Sequence, residues 1–231
     1  MDLLAIDTYS NTCSVAFFDL NHEKSTLVRT TDDARSHASM LAVYVSELIE
    51  EAGKRPNGIV VVSGPGSYTG LRIGASTAKG LAWSMELPLY AVSTLLYLAS
   101  MAPLVAAGTE VVSLIKAREG EVFLAQFRQL ETGLVRETPD RAMNVIEATS
   151  LLSESRGAMM VVSDHIDTLK PLQDIGLTTA LIAPSIKKLF PLLLNQLSDF
   201  NVQDQNSFEP TYLKEFVARK ASKSIFDRLP F

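Results

Sequence analysis

Residue type and spacing bear most plainly on chemistry in the stretch Gly64-Pro65-Gly66-Ser67-Tyr68-Thr69-Gly70-Leu71-Arg72-Ile73-Gly74. It follows the β-branched run Ile59-Val60-Val61-Val62 and opens a helical pattern. Its glycines let the backbone turn sharply and approach another group closely. Free N–H groups at the start of the helix can hold an anion. The equally good alternative is a strand-to-helix turn with close helix packing. Three better-known motifs fail. No Lys follows at P-loop spacing; Gly70 falls one residue too late for a dinucleotide fingerprint; Pro65 and Thr69 stand where a nucleophile elbow around Ser67 needs glycines. A second candidate is Asp7-Thr8-Tyr9-Ser10-Asn11, an acid at a strand end followed by hydroxyls. Such a hairpin can hold a metal-bound phosphate, or be only a turn. Asp7, Thr8, Gly66 and Ser67 are therefore the candidate anion or nucleotide contacts.

Metal and nucleophile chemistry find little support. The three histidines, His22, His37 and His165, have no paired spacing, whereas catalytic zinc wants about three protein ligands. Asp164 and His165 are adjacent, so on a strand they would face opposite ways and would not form the base and orienter of a triad.

The elements that must position these residues follow from hydrophobic pattern. Leu3–Ile6 and Ser14–Leu20 read as a hairpin, and Ser25–Thr30 as a third strand. Ser36 can cap a helix running to Ala52, with Gly53 as its stop. A second helix spans about Gly70–Glu86, and Tyr90–Val92 leads into a helix from Ser93. Strands are expected again at Val111–Ile115, Val122–Phe127 and Leu134–Glu137, then a helix over Ala142–Leu152 and a strand at Met159–Val162. Two strand-rich starts, each followed by helices, suggest a duplicated lobe, with the boundary near residues 103–110.

At 100° per residue the second helix has one broad apolar face of Leu71, Gly74, Ala75, Ala78, Leu81, Ala82 and Met85. Arg72, Ser76, Lys79, Trp83 and Glu86 make the opposite stripe, which includes the chain's one tryptophan. On the first helix Ala38, Leu41, Ala42, Val45, Leu48, Ile49 and Ala52 form the core face, leaving Met40, Val43 and Tyr44 among glutamates. Large side chains on the outer faces read as an association surface, because interface cores enrich Trp, Tyr and Met. The competing reading is cover by the second lobe or a loop. Met40, Val43, Tyr44, Ile73, Ser76, Gly80 and Trp83 are the candidate partner interface.

Taken together, Ile6-Asp7-Thr8, Cys13-Ser14-Val15-Ala16, His37, the glycine-rich run and Ala78-Lys79-Gly80-Leu81-Ala82 resemble the TsaB (YeaZ) family. The likeness is strongest over about the first 100 residues, and Pro210-x-Tyr212-Leu213-Lys214 resembles the family's Pro-x-Tyr-Leu-Arg. The resemblance implies an α/β actin/sugar-kinase/Hsp70-like fold of two lobes with mixed sheets flanked by helices. The lobes would be residues 1–105 and 106–231, with a tail from about 208 crossing back. It implies a non-catalytic subunit for adding threonylcarbamoyl to adenosine in tRNA. Its partners would be a TsaD-type transferase, a TsaE-type ATPase and, when alone, a second copy of itself, paired through the two first-lobe helices. It would have no cofactor of its own, ATP or ADP entering only in the assembled complex. Lys116-Ala117-Arg118 departs from the family's Asp-Ala-Arg. A small-molecule kinase of the same fold would need a second phosphate hairpin with an acid, which the Leu114–Glu121 segment lacks. A peptidase would need a nucleophile or metal that the residues do not assemble.

Bulk properties agree with that reading. The composition, 47% hydrophobic and 20% charged over 231 residues, is that of a globular chain. A net charge of −5 grips phosphate backbones poorly, so tRNA is expected to be reached through a partner. Residues 210–231 are the exception: Lys214, Arg219, Lys220, Lys223 and Arg228 against Glu215 and Asp227 give +3. Cys13 is the one cysteine and the start lacks a basic leader, so a reducing cytoplasm is expected. The uncharged stretch Leu87–Thr109 is broken by Pro88 and Pro103 and reads as strand and buried helix, not as a membrane span.

Overall fold

The computed structural model describes residues 1–22, 26–33, 37–155 and 157–213. Five strands, β1 (Asp2–Asp7), β2 (Cys13–Asp19), β3 (Leu27–Thr31), β4 (Gly58–Val62) and β5 (Leu89–Val92), form one sheet in the order β3-β2-β1-β4-β5. The first three are antiparallel, while β4 and β5 run parallel to β1. The second sheet is built from β6 (Glu110–Lys116), β7 (Glu121–Leu130), β8 (Gly133–Arg136), β10 (Met159–Ser163) and β11 (Thr179–Leu181), ordered β8-β7-β6-β10-β11. Again the first three are antiparallel and the last two parallel to β6. The two sheets therefore repeat one order and one set of directions, as in the two-lobed actin/sugar-kinase/Hsp70-like fold.

Period-two alternation decides which core each strand residue enters. On one face of the first sheet Leu4, Ile6, Val15, Phe17, Ile59 and Val61 pack against Leu41, Val45 and Leu48 of α1 (His37–Ala52) and Ala78 and Ala82 of α2 (Tyr68–Met85). On the other face Leu3, Ala5, Ala16, Phe18, Val60 and Val62 meet α3 (Thr94–Ala99) and, through it, Val111, Ile115 and Phe127 of the second sheet. The far face of the second sheet, with Val112, Leu114 and Val161, is covered by α4 (Val145–Ser153) and α5 (Ile166–Asp174). A sixth helix, α6 (Phe190–Gln196), adds Leu192 and Leu193 to the central core.

The chain then returns to the first lobe. Asn201 bridges Tyr90, the Val202 N–H donates to the Leu89 carbonyl at 2.9 Å, and the Thr211 N–H donates to the Ser63 carbonyl at 2.8 Å. Lys79 donates from Nζ to the carbonyls of Asn206 and Phe208 at 2.8 and 3.0 Å. This strap takes the Lys79 flank of α2, so a loop does cover part of the stripe that the sequence leaves polar.

Several expectations need correcting. Ala142–Asn144, expected to begin a helix, belong instead to strand β9 (Arg141–Asn144), paired antiparallel with β7, and the helix starts at Val145. Ala38 and Ala42, placed on the core face of α1, are exposed; Leu41, Val45 and Leu48 alone are fully buried on that stripe. Asp164 and His165 lie beyond the end of β10 in the turn before α5, not on a strand. Ser36, the expected cap of α1, lies outside the described residues, as does the start of the third strand at Ser25. Leu87–Thr109 folds as the short β5 and α3, and among the described residues no helix is long and apolar enough to cross a membrane.

The join between α2 and the first hairpin is the tightest contact of the lobe. A Cβ on Gly70 would stand 2.1 Å from the Thr8 carbonyl oxygen, and one on Gly74 would stand 2.3 Å from Thr8 Oγ1. Gly80, on the same helix, has open space above it. Two alanine substitutions should consequently differ in sign. Gly70→Ala should destabilise by about 1–3 kcal/mol or more, as overpacking does. Gly80→Ala should stabilise by up to about 1 kcal/mol through helix propensity. Urea melts of both variants give the check, and equal effects would refute the packing account.

Candidate functional site

A cleft of about 680 Å³ lies where the two lobes meet. Four short segments and the strap wall it: Tyr9 to Thr12 of the first hairpin, Pro65 to Tyr68 of the glycine-rich turn, Lys116 to Arg118 of the β6–β7 hairpin, Asp164 and His165 after β10, and Thr211 to Leu213. The fold explains the convergence. β1, β4, β6 and β10 all end on the same side, and each hands its following turn to the cleft.

The glycine-rich turn is shaped by what it touches. Gly64 has φ +107, and a Cβ there would meet Leu71 Cδ1 and the Thr211 carbonyl oxygen of the strap, both at 2.9 Å. A Cβ on Gly66 would stand 2.5 Å from the Tyr9 carbonyl oxygen, and the Ser67 N–H donates to that same oxygen at 2.6 Å. Ser67 caps α2, its Oγ accepting from the Gly70 N–H at 3.3 Å. Thr8 is fully buried and donates from Oγ1 to the Gly70 carbonyl at 2.8 Å. Close packing thus accounts for Gly66, Gly70 and Gly74. Of the four candidate anion contacts, Gly66 and Ser67 line the cleft; Asp7 and Thr8 do not.

Asp7 belongs instead to a buried polar cluster that the sequence did not reveal. Its Oδ1 accepts from the Tyr9 N–H at 3.2 Å, and it interacts with the Tyr97 hydroxyl, though not in good hydrogen-bond geometry. Burial pushes the Asp7 carboxyl up to about 7, against the lowering effect of these donors. The Tyr9 hydroxyl donates to Asp164 Oδ2 at 3.0 Å, a side-chain bond from the first lobe to the second. Desolvation raises Asp164 as well, and it keeps the Tyr9 and Tyr97 phenols well above their ordinary value, so both remain donors. The Tyr9 and Tyr97 rings meet edge to face with centroids 6.3 Å apart. The available signal was an acid closing each apolar strand run; the partners, 155 residues apart for Tyr9 and Asp164, had none.

On the outer face of the first lobe the interface candidates stand as follows. Trp83 is 79% exposed and Val43 43%. Ser76 and Gly80 are exposed; Met40, Tyr44 and Ile73 are half-buried, Tyr44 and Ile73 against the α1/α2 core. Trp83, Ser84, Leu87, Pro88 and Gln205 rim a shallow hollow at the C-terminal end of α2. Among the described residues no group of three His, Cys, Asp or Glu side chains is placed to hold a metal ion.

With this geometry in place, comparison with known proteins is informative. A family model described as TsaD, tRNA N6-adenosine threonylcarbamoyltransferase, matches residues 28–221. The tRNA threonylcarbamoyladenosine biosynthesis protein TsaB of Escherichia coli is 28% identical over 228 residues, covering 95% of this chain and 97% of that one. The protein of the same name from Bacillus subtilis is 34% identical over 162 residues, 67% of each chain. Among solved structures, an uncharacterized Pseudomonas aeruginosa protein with similarity to peptidase YEAZ superposes with TM-score 0.75 at 24% identity, covering 92% of this chain and 99% of that one. YeaZ from Pseudomonas aeruginosa gives 0.71 at 22% identity, over 91% and 100%.

The buried cluster predicts a pH dependence. The Asp7 pKa is raised on folding, so the folded state holds a proton that the unfolded chain releases near pH 4. Stability is then full below about pH 4 and falls as pH rises through about 7, at roughly 1.4 kcal/mol per pH unit for this one group. Asp7→Asn removes the titrating proton and keeps an acceptor for the Tyr9 N–H. Urea midpoints between pH 5 and 8 should therefore fall less steeply in this variant than in the parent; identical slopes would assign the pH dependence elsewhere.

Proposed function

The chain belongs to the TsaB (YeaZ) family, within the wider group described by the TsaD model, and we propose that it acts as a non-catalytic partner subunit in making threonylcarbamoyladenosine in tRNA. One observation carries the finer part of this reading. Trp83, the chain's one tryptophan, stands 79% exposed beside the open Gly80 on a helix whose opposite face is fully used by the sheet. Exposed aromatic area of that size gains about 25 cal/mol per Å² when a partner covers it. The strap takes the Lys79 flank and leaves the α1/α2 seam uncovered. Two helices side by side can meet two more as a four-helix contact. The TsaD-type transferase is the partner that this surface serves. A second copy of this chain uses the same surface when the transferase is absent, so the two assemblies compete. A TsaE-type ATPase joins the complex, and nucleotide belongs to the assembly, not to this chain alone.

The cleft supports no chemistry of its own in this reading. Tyr9 and Asp164 in its lining are bonded to each other, Ser67 is occupied as a helix cap, and the β6–β7 turn offers Lys116 and Arg118 where a phosphate-transfer site would place an acid. The isolated protein should accordingly hydrolyse neither ATP nor peptides at an enzyme-like rate. Sustained turnover at about 1 per second or faster, surviving controls for contaminating enzymes, would overturn the non-catalytic role.

The surface itself is tested by Trp83→Ala and Gly80→Arg. Both should leave the monomer folded, because Trp83 is outside the core and a Cβ added at the exposed Gly80 meets nothing within 4 Å. Both should weaken self-association and transferase binding alike, at least tenfold, which corresponds to about 1.4 kcal/mol. Light scattering of each variant, alone and mixed with the transferase, reads this out, with circular dichroism as the folding control. Variants that assemble like the parent would place the contact elsewhere.

A further inference from the structure

We propose that Trp83 and Glu86, at the C-terminal end of α2, form a seat for one basic side chain, an arginine, of the transferase partner, and that this pairing favours the transferase over a second copy of this chain. The inference rests on the partner surface proposed above and names the chemistry which that surface selects. Glu86 carries it, because its position goes against two local preferences at once. It closes α2 with φ 56 and ψ 44, a left-handed backbone that glycine or asparagine adopts more readily. Among the described residues it is the one non-glycine with positive φ. It also puts an acid at the helix end where the backbone dipoles are negative and a base is favoured, and the last turn of α2 holds no base. The fold uses only its main chain: the Glu86 N–H reaches the Ala82 and Trp83 carbonyls. Its side chain is exposed, and among the described residues the carboxylate has no ion-pair partner. A glycine would close the helix equally well. A strained backbone that carries an idle charge points to a use outside the monomer.

The surroundings fix the sign and the shape of what fits. Trp83, three residues earlier and 79% exposed, rims the same hollow as Glu86. The other side-chain donors of that rim are spent. Ser84 Oγ donates to the Leu81 carbonyl at 3.2 Å, and Gln205 Nε2 donates to the Leu87 carbonyl at 3.2 Å. Arg55 reaches the helix end, but it donates to the Met85 carbonyl at 3.4 Å and does not pair with Glu86. An aromatic face beside a free carboxylate suits a guanidinium best, because the planar cation stacks on the indole and meets both carboxylate oxygens. A second copy has no free cation on these two helices. The helix α1 contains no Lys or Arg. Both cations of α2 are engaged: Arg72 lies 4.3 Å over the Tyr68 ring and interacts with Tyr212, while Lys79 is held by the Asn206 and Phe208 carbonyls. Two copies that pair through α1 and α2 therefore leave both Glu86 carboxylates unmatched, and a partner that brings an arginine does not.

The test measures, on the full chain, both affinity for the TsaD-type transferase and self-association, by sedimentation at about 50 and about 500 mM salt. Glu86→Gln should weaken transferase binding at the lower salt by about tenfold or more and reduce its salt dependence, because one charge of a desolvated pair is lost. Self-association should stay as in the parent. Glu86→Gly should lose the same transferase affinity while its urea midpoint rises, since glycine relieves the left-handed backbone. That split separates a recognition residue from a structural one. Circular dichroism confirms the fold of each variant. Parent-like transferase binding by the two variants would overturn the proposal. An equal loss in self-association would also overturn it, by making Glu86 a general part of the face. So would a lower urea midpoint in Glu86→Gly, which would assign the carboxylate to holding the helix end. Trp83→Ala and Gly80→Arg keep the two readings distinguishable. If they weaken both assemblies and the Glu86 variants weaken neither, the arginine seat falls and the partner surface stands. If they too assemble like the parent, the surface itself is misplaced.

Discussion

The structure turns on the absence of two Cβ atoms. Gly70 and Gly74 let the first turns of α2 sink onto Thr8, close enough that Thr8 Oγ1 donates to the Gly70 carbonyl at 2.8 Å. Any side chain there would lift the helix off the hairpin. The contact fixes the direction of α2, and with it which residues the helix gives to the sheet. Ala75, Ala78 and Ala82 follow inward, small enough to keep the helix low over β4 and β1. Trp83 and Gly80 are then held outward by geometry, not by any attraction to solvent. The same contact brings Ser67 and Gly66 against Tyr9, which shapes one wall of the cleft.

Tyr9 carries that constraint across to the second lobe. Its main chain receives the glycine-rich turn, its ring packs on Tyr97, and its hydroxyl reaches Asp164. The arrangement is polar and almost fully buried, so each member depends on the others. A buried carboxyl without donors would cost several kcal/mol, and here Asp7 is offset by the Tyr9 N–H and by holding its proton to about pH 7. A chain that leans on such a cluster gains a defined relation between its lobes and accepts a stability that declines from about pH 4 to about pH 7.

Much of this was legible in the residues. The β-branched runs, the hairpins and the two amphipathic helices carry strong periodic signals, and the glycine-rich run announces a close approach even where it does not say to what. What was not legible came from pairing distant in sequence. Arg141–Asn144 has no alternation strong enough to mark a strand; it is extended because Glu121–Leu124 of β7 offers it a ladder. Ala38 and Ala42 fit the core face by angle, yet both are exposed, and the stripe becomes buried only from Leu41, Val45 and Leu48. Thr8 illustrates the ambiguity best. A hydroxyl after an acid at a strand end reads equally as a phosphate contact or as a packing device, and only the position of Gly70 decides between them.

The proposed partner surface and the cleft are kept apart along the helix that reaches both. Ser67 caps α2 at the cleft, and Trp83 lies sixteen residues on, about 24 Å along the axis at 1.5 Å per residue. The α1/α2 face and the second lobe also lie on opposite faces of the first sheet, with the whole of that sheet between them. A partner seated over Trp83 and Gly80 therefore leaves the cleft mouth open, and with it Lys116 and Arg118.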